Sequence, residues 1–143
     1  TKLIYVENPG SNTFEMNDLG KIVSLAKSKN IFTAIDNTWA TAYFFKPLKL
    51  GFDISITSAT KYYSGHSDVM GGILLTNRKD IAEELRTRRF YSGAILDPNS
   101  AWLLRRSLHT LDVRLERQAV NTKKLVDYLK TRKEFLLYLC LGV

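Results

Sequence analysis

Between Lys2 and Asp36 the chain spells strand, helix, strand, and that order leaves few folds open. Lys2 to Val6 is a short β-branched and aromatic run closed by Asn8, Pro9 and Gly10, which suits a buried strand ending in a turn. Leu19, Ile22, Val23, Leu25 and Ala26 then recur at three and four residues, the spacing of one helix face, with Asn17 expected as its cap and Lys27 and Lys29 at its end. Ile31 to Ile35 is a second compact apolar run. Strands joined through a helix pair in parallel with a right-handed crossover, so the reading predicts a parallel sheet.

Further along, Ile54 to Ser58 alternates apolar and hydroxyl residues and Gly71 to Thr76 is again apolar, which predicts two more strands around a loop rich in Lys, Gly and His. Residues 37–50 hold Trp39, Tyr43, Phe44, Phe45 and Pro47 and are expected as a packed loop, since Pro47 argues against a continuous helix. These aromatics read as core or interface. Helical spacing fills Arg78 to Arg89, where Arg86, Arg88 and Arg89 read as a solvated face. It returns from Ser100 to Arg132, where Arg105 and Arg106 do so in part, beyond a break at Asp97 and Pro98.

The 143 residues allow one domain or a piece of a larger one, and 45% apolar with 24% charged residues is enough to bury a core. A net charge of +7 favours acidic ligands in a general way; no nucleic-acid-reading motif accompanies it, and nucleic acid is not an expected partner. Cys140 stands alone and has no partner for an internal disulfide, which points to a reducing, cytoplasmic setting. Neither a signal peptide nor a membrane span is expected. Both ends look cut: the first residues already read as strand, and the last are apolar.

In an open α/β sheet, ligands sit beyond the carboxyl ends of the strands, which directs attention to Glu7–Ser11, Asp36–Trp39 and Ser58–Lys61. Asp36 ends an apolar strand, where a carboxylate needs a cation or a donor. Ser58, Thr60 and Lys61 put two hydroxyls and an ammonium within four residues, which can hold a phosphate, and a lysine in such a site can condense with a carbonyl group. Pyridoxal phosphate needs all of these at once: a lysine for its aldehyde, an acid for its pyridinium nitrogen and donors for its phosphate. Taken singly, Lys61 also reads as a surface lysine and Asp36 as the start of an Asx turn. His66 and Asp68 read as turn-fixing residues rather than metal ligands, and no metal is expected.

The strings Ala34-Ile35-Asp36-Asn37-Thr38-Trp39-Ala40, Ser58-Ala59-Thr60-Lys61-Tyr62 and Gly65-His66-Ser67-Asp68, in this order and spacing, resemble the Cys/Met-metabolism pyridoxal-phosphate enzymes. Asp97-Pro98, Leu103-Leu104-Arg105, Leu108-His109-Thr110-Leu111 and Arg114-Leu115-Glu116-Arg117 are similar to the family's helical run after the cofactor lysine. Glu7-Asn8-Pro9-Gly10-Ser11 and Trp39 are most similar to its bacterial enzymes that β-cleave cystathionine; the γ-type enzymes tend to carry Asn in place of Ser11.

The resemblance implies an α/β fold, the central part of an aspartate-aminotransferase-like (fold type I) large domain. Its sheet would be mostly parallel, at 2–6, 31–36 and 54–58, with one antiparallel strand at 71–76. Residues 1–133 would form an incomplete cofactor-binding domain with exposed apolar edges, and 134–143 the start of a connection to a C-terminal domain. The resemblance further implies pyridoxal 5'-phosphate as cofactor, with Lys61 binding its aldehyde and acting as catalytic base. Asp36 would pair with the ring nitrogen, Ser58 and Thr60 would hold the phosphate, and Ser11 would lie on the substrate side. The implied reaction converts cystathionine to homocysteine, pyruvate and ammonia in a homo-oligomer, with a γ-type enzyme or a non-catalytic remnant as the competing readings.

Overall fold

The computed structural model describes residues 1–133. Residues 134–143, with Cys140 and the expected connection, lie outside them. In chain order the elements are β1 (Leu3–Glu7), α1 (Leu19–Ser28), β2 (Phe32–Asp36), α2 (Thr41–Phe44), α3 (Pro47–Leu50), β3 (Ile54–Ser58), β4 (Gly72–Leu75), α4 (Lys79–Ser92), α5 (Pro98–Leu108) and α6 (Leu111–Lys130). One sheet runs β1-β2-β3-β4, parallel for the first three strands and antiparallel between β3 and β4. The mostly parallel sheet with one reversed strand is therefore present.

Val6, Val23, Ile35 and Phe52 form the buried cluster, with Ile4, Leu19, Ile22 and Phe45 packed on it. Val23 and Ala26 are the buried positions of α1 and Leu19 and Ile22 pack beside them, so the spacing read from sequence marks the face that meets the sheet except at Leu25, which is exposed. Ile35 is fully buried, and covering a side chain of that size stabilises the fold by roughly 1.5–3 kcal/mol. It is the penultimate residue of β2, the strand that lies between β1 and β3.

Three expectations need correction. Asp18, not Asn17, caps α1: its Oδ1 accepts the Lys21 amide at 3.0 Å, while the Asn17 amide donates to Asn8 Oδ1 at 2.7 Å. Residues 37–50 are not a plain loop but hold α2 and α3, with Pro47 at the start of α3, where a missing N–H costs nothing. The stretch from Ser100 to Arg132 is two helices. Leu104, Leu108, Leu111 and Leu115 keep helical spacing across the break, so periodicity is blind to it, but the Thr110 hydroxyl donates to the Ser107 carbonyl at 3.2 Å and competes with the helical ladder.

Apolar residues stand exposed on the sheet and helices: Leu3, Tyr5, Phe32 and Leu74, and Trp102 and Leu125 on α5 and α6. Phe45 packs on the core, whereas Trp39, Tyr43 and Phe44 are exposed. No residue of α4 is buried, and Arg88 of its solvated face pairs with Glu84 at 2.6 Å. Among the described residues no helix is long and apolar enough to cross a membrane.

Candidate active site

The carboxyl ends of β1, β2 and β3 lie side by side, with Glu7 opposite Asp36 and Asp36 opposite Ile56 in the register. A cleft of about 910 Å³ opens at this end, and Glu7, Ser11, Asp36, Ser58, Thr60 and Lys61 all line it. Every site residue read from the sequence is thus on one cleft.

Asp36 closes β2. Its Oδ1 accepts the Thr38 amide at 2.8 Å, so the Asx turn and a cleft-lining carboxylate are the same group, and its Oδ2 accepts the Tyr5 hydroxyl at 3.5 Å. Desolvation, and then the Asp36 and Glu7 carboxylates, raise the Tyr5 phenol above its ordinary range, which keeps it a donor. Behind the turn, buried Asn37 donates its amide to Ile56 at 2.7 Å and its side chain to the Phe45 carbonyl at 3.0 Å. Thr41, fully buried, has φ +56°, a region β-branched residues rarely enter; it is held there by its own amide on Asn37 and by the Tyr43 amide on its hydroxyl.

After β3 the chain wraps a tight turn around Lys61. The Lys61 amide donates to Ser58, the Ser64 amide to Ala59 and the Gly65 amide to Lys61 at 2.8 Å. Ser64, fully buried, adds a hydroxyl bond to the Thr60 carbonyl at 2.8 Å. Lys61 is exposed at the cleft, and its ammonium makes no ion pair among the described residues. The Thr60 hydroxyl is engaged instead with Gly71, donating to its carbonyl at 3.3 Å and accepting its amide at 3.0 Å. Ser11 donates its hydroxyl to Glu7 and its amide to the same carboxylate at 3.3 Å, and Glu7 is the residue opposite Asp36 in the register.

His66 Nδ1 lies 2.6 Å from the Ser64 carbonyl and 3.4 Å from the Ser107 hydroxyl, which ties it to the turn, while Asp68 lines the cleft. Arg114, on α6, also lines the cleft, and nothing in the sequence marked it beyond its place in a helical motif. Its Nη1 donates to the Tyr62 carbonyl at 2.8 Å, its Nη2 to Ser107 at 3.1 Å and its Nε to the Thr110 hydroxyl at 3.1 Å.

A family model described as Cys/Met metabolism PLP-dependent enzyme matches residues 1–138. The chain is similar to the cystathionine beta-lyase of Lactococcus lactis subsp. cremoris (strain MG1363), at 41% identity over 93% of this chain and 35% of that protein. It is equally similar to the cystathionine gamma-lyase of Bacillus subtilis (strain 168), at 41% identity over 91% of this chain and 34% of that protein. A solved cystathionine gamma-lyase from Lactobacillus plantarum complexed with L-serine superposes with a TM-score of 0.89 at 38% identity, covering 92% of this chain and 35% of that one. The chain spans about a third of the length of the curated relatives it matches.

Proposed function

The chain belongs to the Cys/Met metabolism PLP-dependent enzymes, and from that premise we propose that it carries the lysine-bearing part of a carbon–sulfur lyase that β-cleaves cystathionine. The observation that carries the reading is the set of groups on one cleft: an unpaired ammonium (Lys61), a carboxylate fixed by an amide (Asp36) and a hydroxyl with no bond among the described residues (Ser58). Aldehyde, ring nitrogen and phosphate of pyridoxal phosphate call for an amine, an acceptor for the ring N–H and a hydroxyl donor, so the residues present fit the group. When bound, the cofactor supplies an electron sink for cleavage of the Cβ–S bond.

In this reading Lys61 Nζ would hold the cofactor aldehyde, and the Lys61 amine would take the proton from the substrate Cα. Asp36 keeps a proton on the ring nitrogen, its orientation set by the Thr38 amide. The Ser58 hydroxyl binds phosphate. Thr60 joins it by releasing its 3.3 Å bond to the Gly71 carbonyl, or else serves to hold β4 against the lysine turn. Ser11 lies on the substrate side, the products are homocysteine, pyruvate and ammonia, and the protein works as a homo-oligomer through its exposed apolar faces.

The test is spectroscopic and chemical. The full-length enzyme carrying this sequence is expected to show a visible cofactor band that Lys61→Ala abolishes, and to release pyruvate from cystathionine. A band that survives Lys61→Ala overturns the role of Lys61. Release of 2-oxobutyrate in place of pyruvate establishes the second reading, a γ-lyase, to which the 41% identity with the Bacillus subtilis enzyme gives the same support as the 41% with the Lactococcus lactis enzyme gives the first.

A further inference from the structure

Arg114 makes three bonds, all to neutral oxygens, and they join segments far apart in sequence: Tyr62 in the lysine turn, 52 residues away, and Ser107 and Thr110 at the α5–α6 junction. The guanidinium rests directly on Gly65. A Cβ at that position would stand 2.5 Å from Nη1 and 2.7 Å from Cζ, and Gly65 has φ +70°, so the turn is shaped to leave room for the arginine as well as to bend. From inside, the buried Ser64 hydroxyl pins the same turn to the Thr60 carbonyl. The turn that carries Lys61 is thereby gripped on both sides: Ala42 of α2 donates its amide to the Tyr63 hydroxyl at 3.3 Å and Ser107 of α5 lies 3.4 Å from His66 Nδ1, while Arg114 of α6 bonds the main chain next to Lys61 itself.

We infer that Arg114 is a positioning residue: by bonding the Tyr62 carbonyl and packing on Gly65 it fixes where Lys61 stands in the cleft. The inference rests on the reading of Lys61 as the cofactor-binding lysine. A solvated lysine at position 114 lacks the planar fork needed to reach the Tyr62 and Ser107 carbonyls together, so charge alone does not substitute.

The test uses the full-length protein with and without pyridoxal phosphate, in Arg114→Met, the milder Arg114→Lys, Gly65→Ala and the double variant. Without cofactor, amide exchange at Ser64 and Gly65 is expected to rise about tenfold or more while β3 amides keep their rates. With cofactor, kcat is expected to fall about 10–100-fold with KM within about twofold, and the pH midpoint of the visible band to move. Arg114→Lys falls in between. The Gly65→Ala and Arg114→Met effects on kcat are expected to be non-additive, because each displaces the same guanidinium. Unchanged exchange at Ser64 and Gly65, or a kcat that falls only in step with Tm while the band's pH midpoint stays fixed, overturns the proposal. A band that survives Lys61→Ala overturns the Lys61 reading and the proposal with it, a failure the cofactor-free exchange data keep distinct.

Discussion

The hydroxyl of Thr38 accepts the Ser58 amide at 2.8 Å, and this bond ties the turn after Asp36 to the strand end before Lys61. The Asp36 carboxylate in turn accepts the Thr38 amide, and the Ser58 carbonyl accepts the Lys61 amide, so a continuous chain of bonds runs from one proposed cofactor contact to the other. Thr38→Val keeps the shape and removes the acceptor, leaving the part-buried Ser58 amide unpaired at a cost of roughly 1–3 kcal/mol. Cofactor affinity is expected to fall about tenfold, and Thr38→Ser to retain it. Titrating pyridoxal phosphate into the cofactor-free protein checks this; equal affinity in Thr38→Val refutes it.

The opposite end of the sheet offers a control. Thr33, buried at the start of β2, donates its amide at 2.8 Å and its hydroxyl at 3.0 Å to Asp53 Oδ2, and accepts the Asp53 amide at 3.1 Å. Thr33→Val removes two of these three bonds and is expected to lower stability by about 1–3 kcal/mol in urea unfolding. Cofactor affinity in the folded protein is expected to stay the same, because the cleft lies at the other end of β2.

Acid should loosen the helices in a defined order of sign. Asp18 is held below the usual carboxylate range by the Lys21 amide, Asp80 by Arg78 and Asp97 by Ser100. A depressed folded-state value stabilises above the ordinary carboxylate value of 3.8 and is lost as pH falls through the lower folded value. Helical circular dichroism is therefore expected to weaken below that value. In Asp97→Asn the contribution from the α5 cap should be absent from the pH dependence, which would otherwise be identical to that of the unmodified protein.

Ser11→Asn is expected to change the ratio of kcat/KM for cystathionine over a shorter amino acid while leaving the visible band in place. The Ser11 hydroxyl donates to Glu7, which is itself opposite Asp36, and an amide on a longer stem would reach further into the cleft. Measuring both constants decides it. An unchanged ratio, or loss of the band, would show that Ser11 serves the turn.

What the sequence made legible was local. Apolar runs marked the strands to within a residue or two, the α1 face was read from spacing apart from the exposed Leu25, and Asp36, Ser58, Thr60 and Lys61, which line one cleft, were read as candidates because strand ends are where an α/β sheet presents chemistry. The reversed direction of β4 came from resemblance. Arg114 stayed hidden because an arginine on a helix reads as solvated until its partners are known, and Tyr62 is 52 residues away. The engagement of Thr60 with Gly71 was equally out of reach: a hydroxyl in a motif announces a donor, not which carbonyl already holds it.

The strand order β1-β2-β3-β4 follows the order of the chain, so among the described strands β2, β3 and β4 each lie beside the strand that precedes them in sequence. The pairing of such a sheet requires no described strand to wait for a later one. The lysine turn is different. Its ties to Arg114 and Ser107, and the Tyr43 bond to Glu116 beside it, reach 52, 41 and 73 residues ahead and close only after α5 and α6 have been made and docked. The strand ends that frame the cleft therefore depend on contacts made early in the chain, whereas the order of the turn that carries Lys61 depends on the last described helix rather than on the sheet.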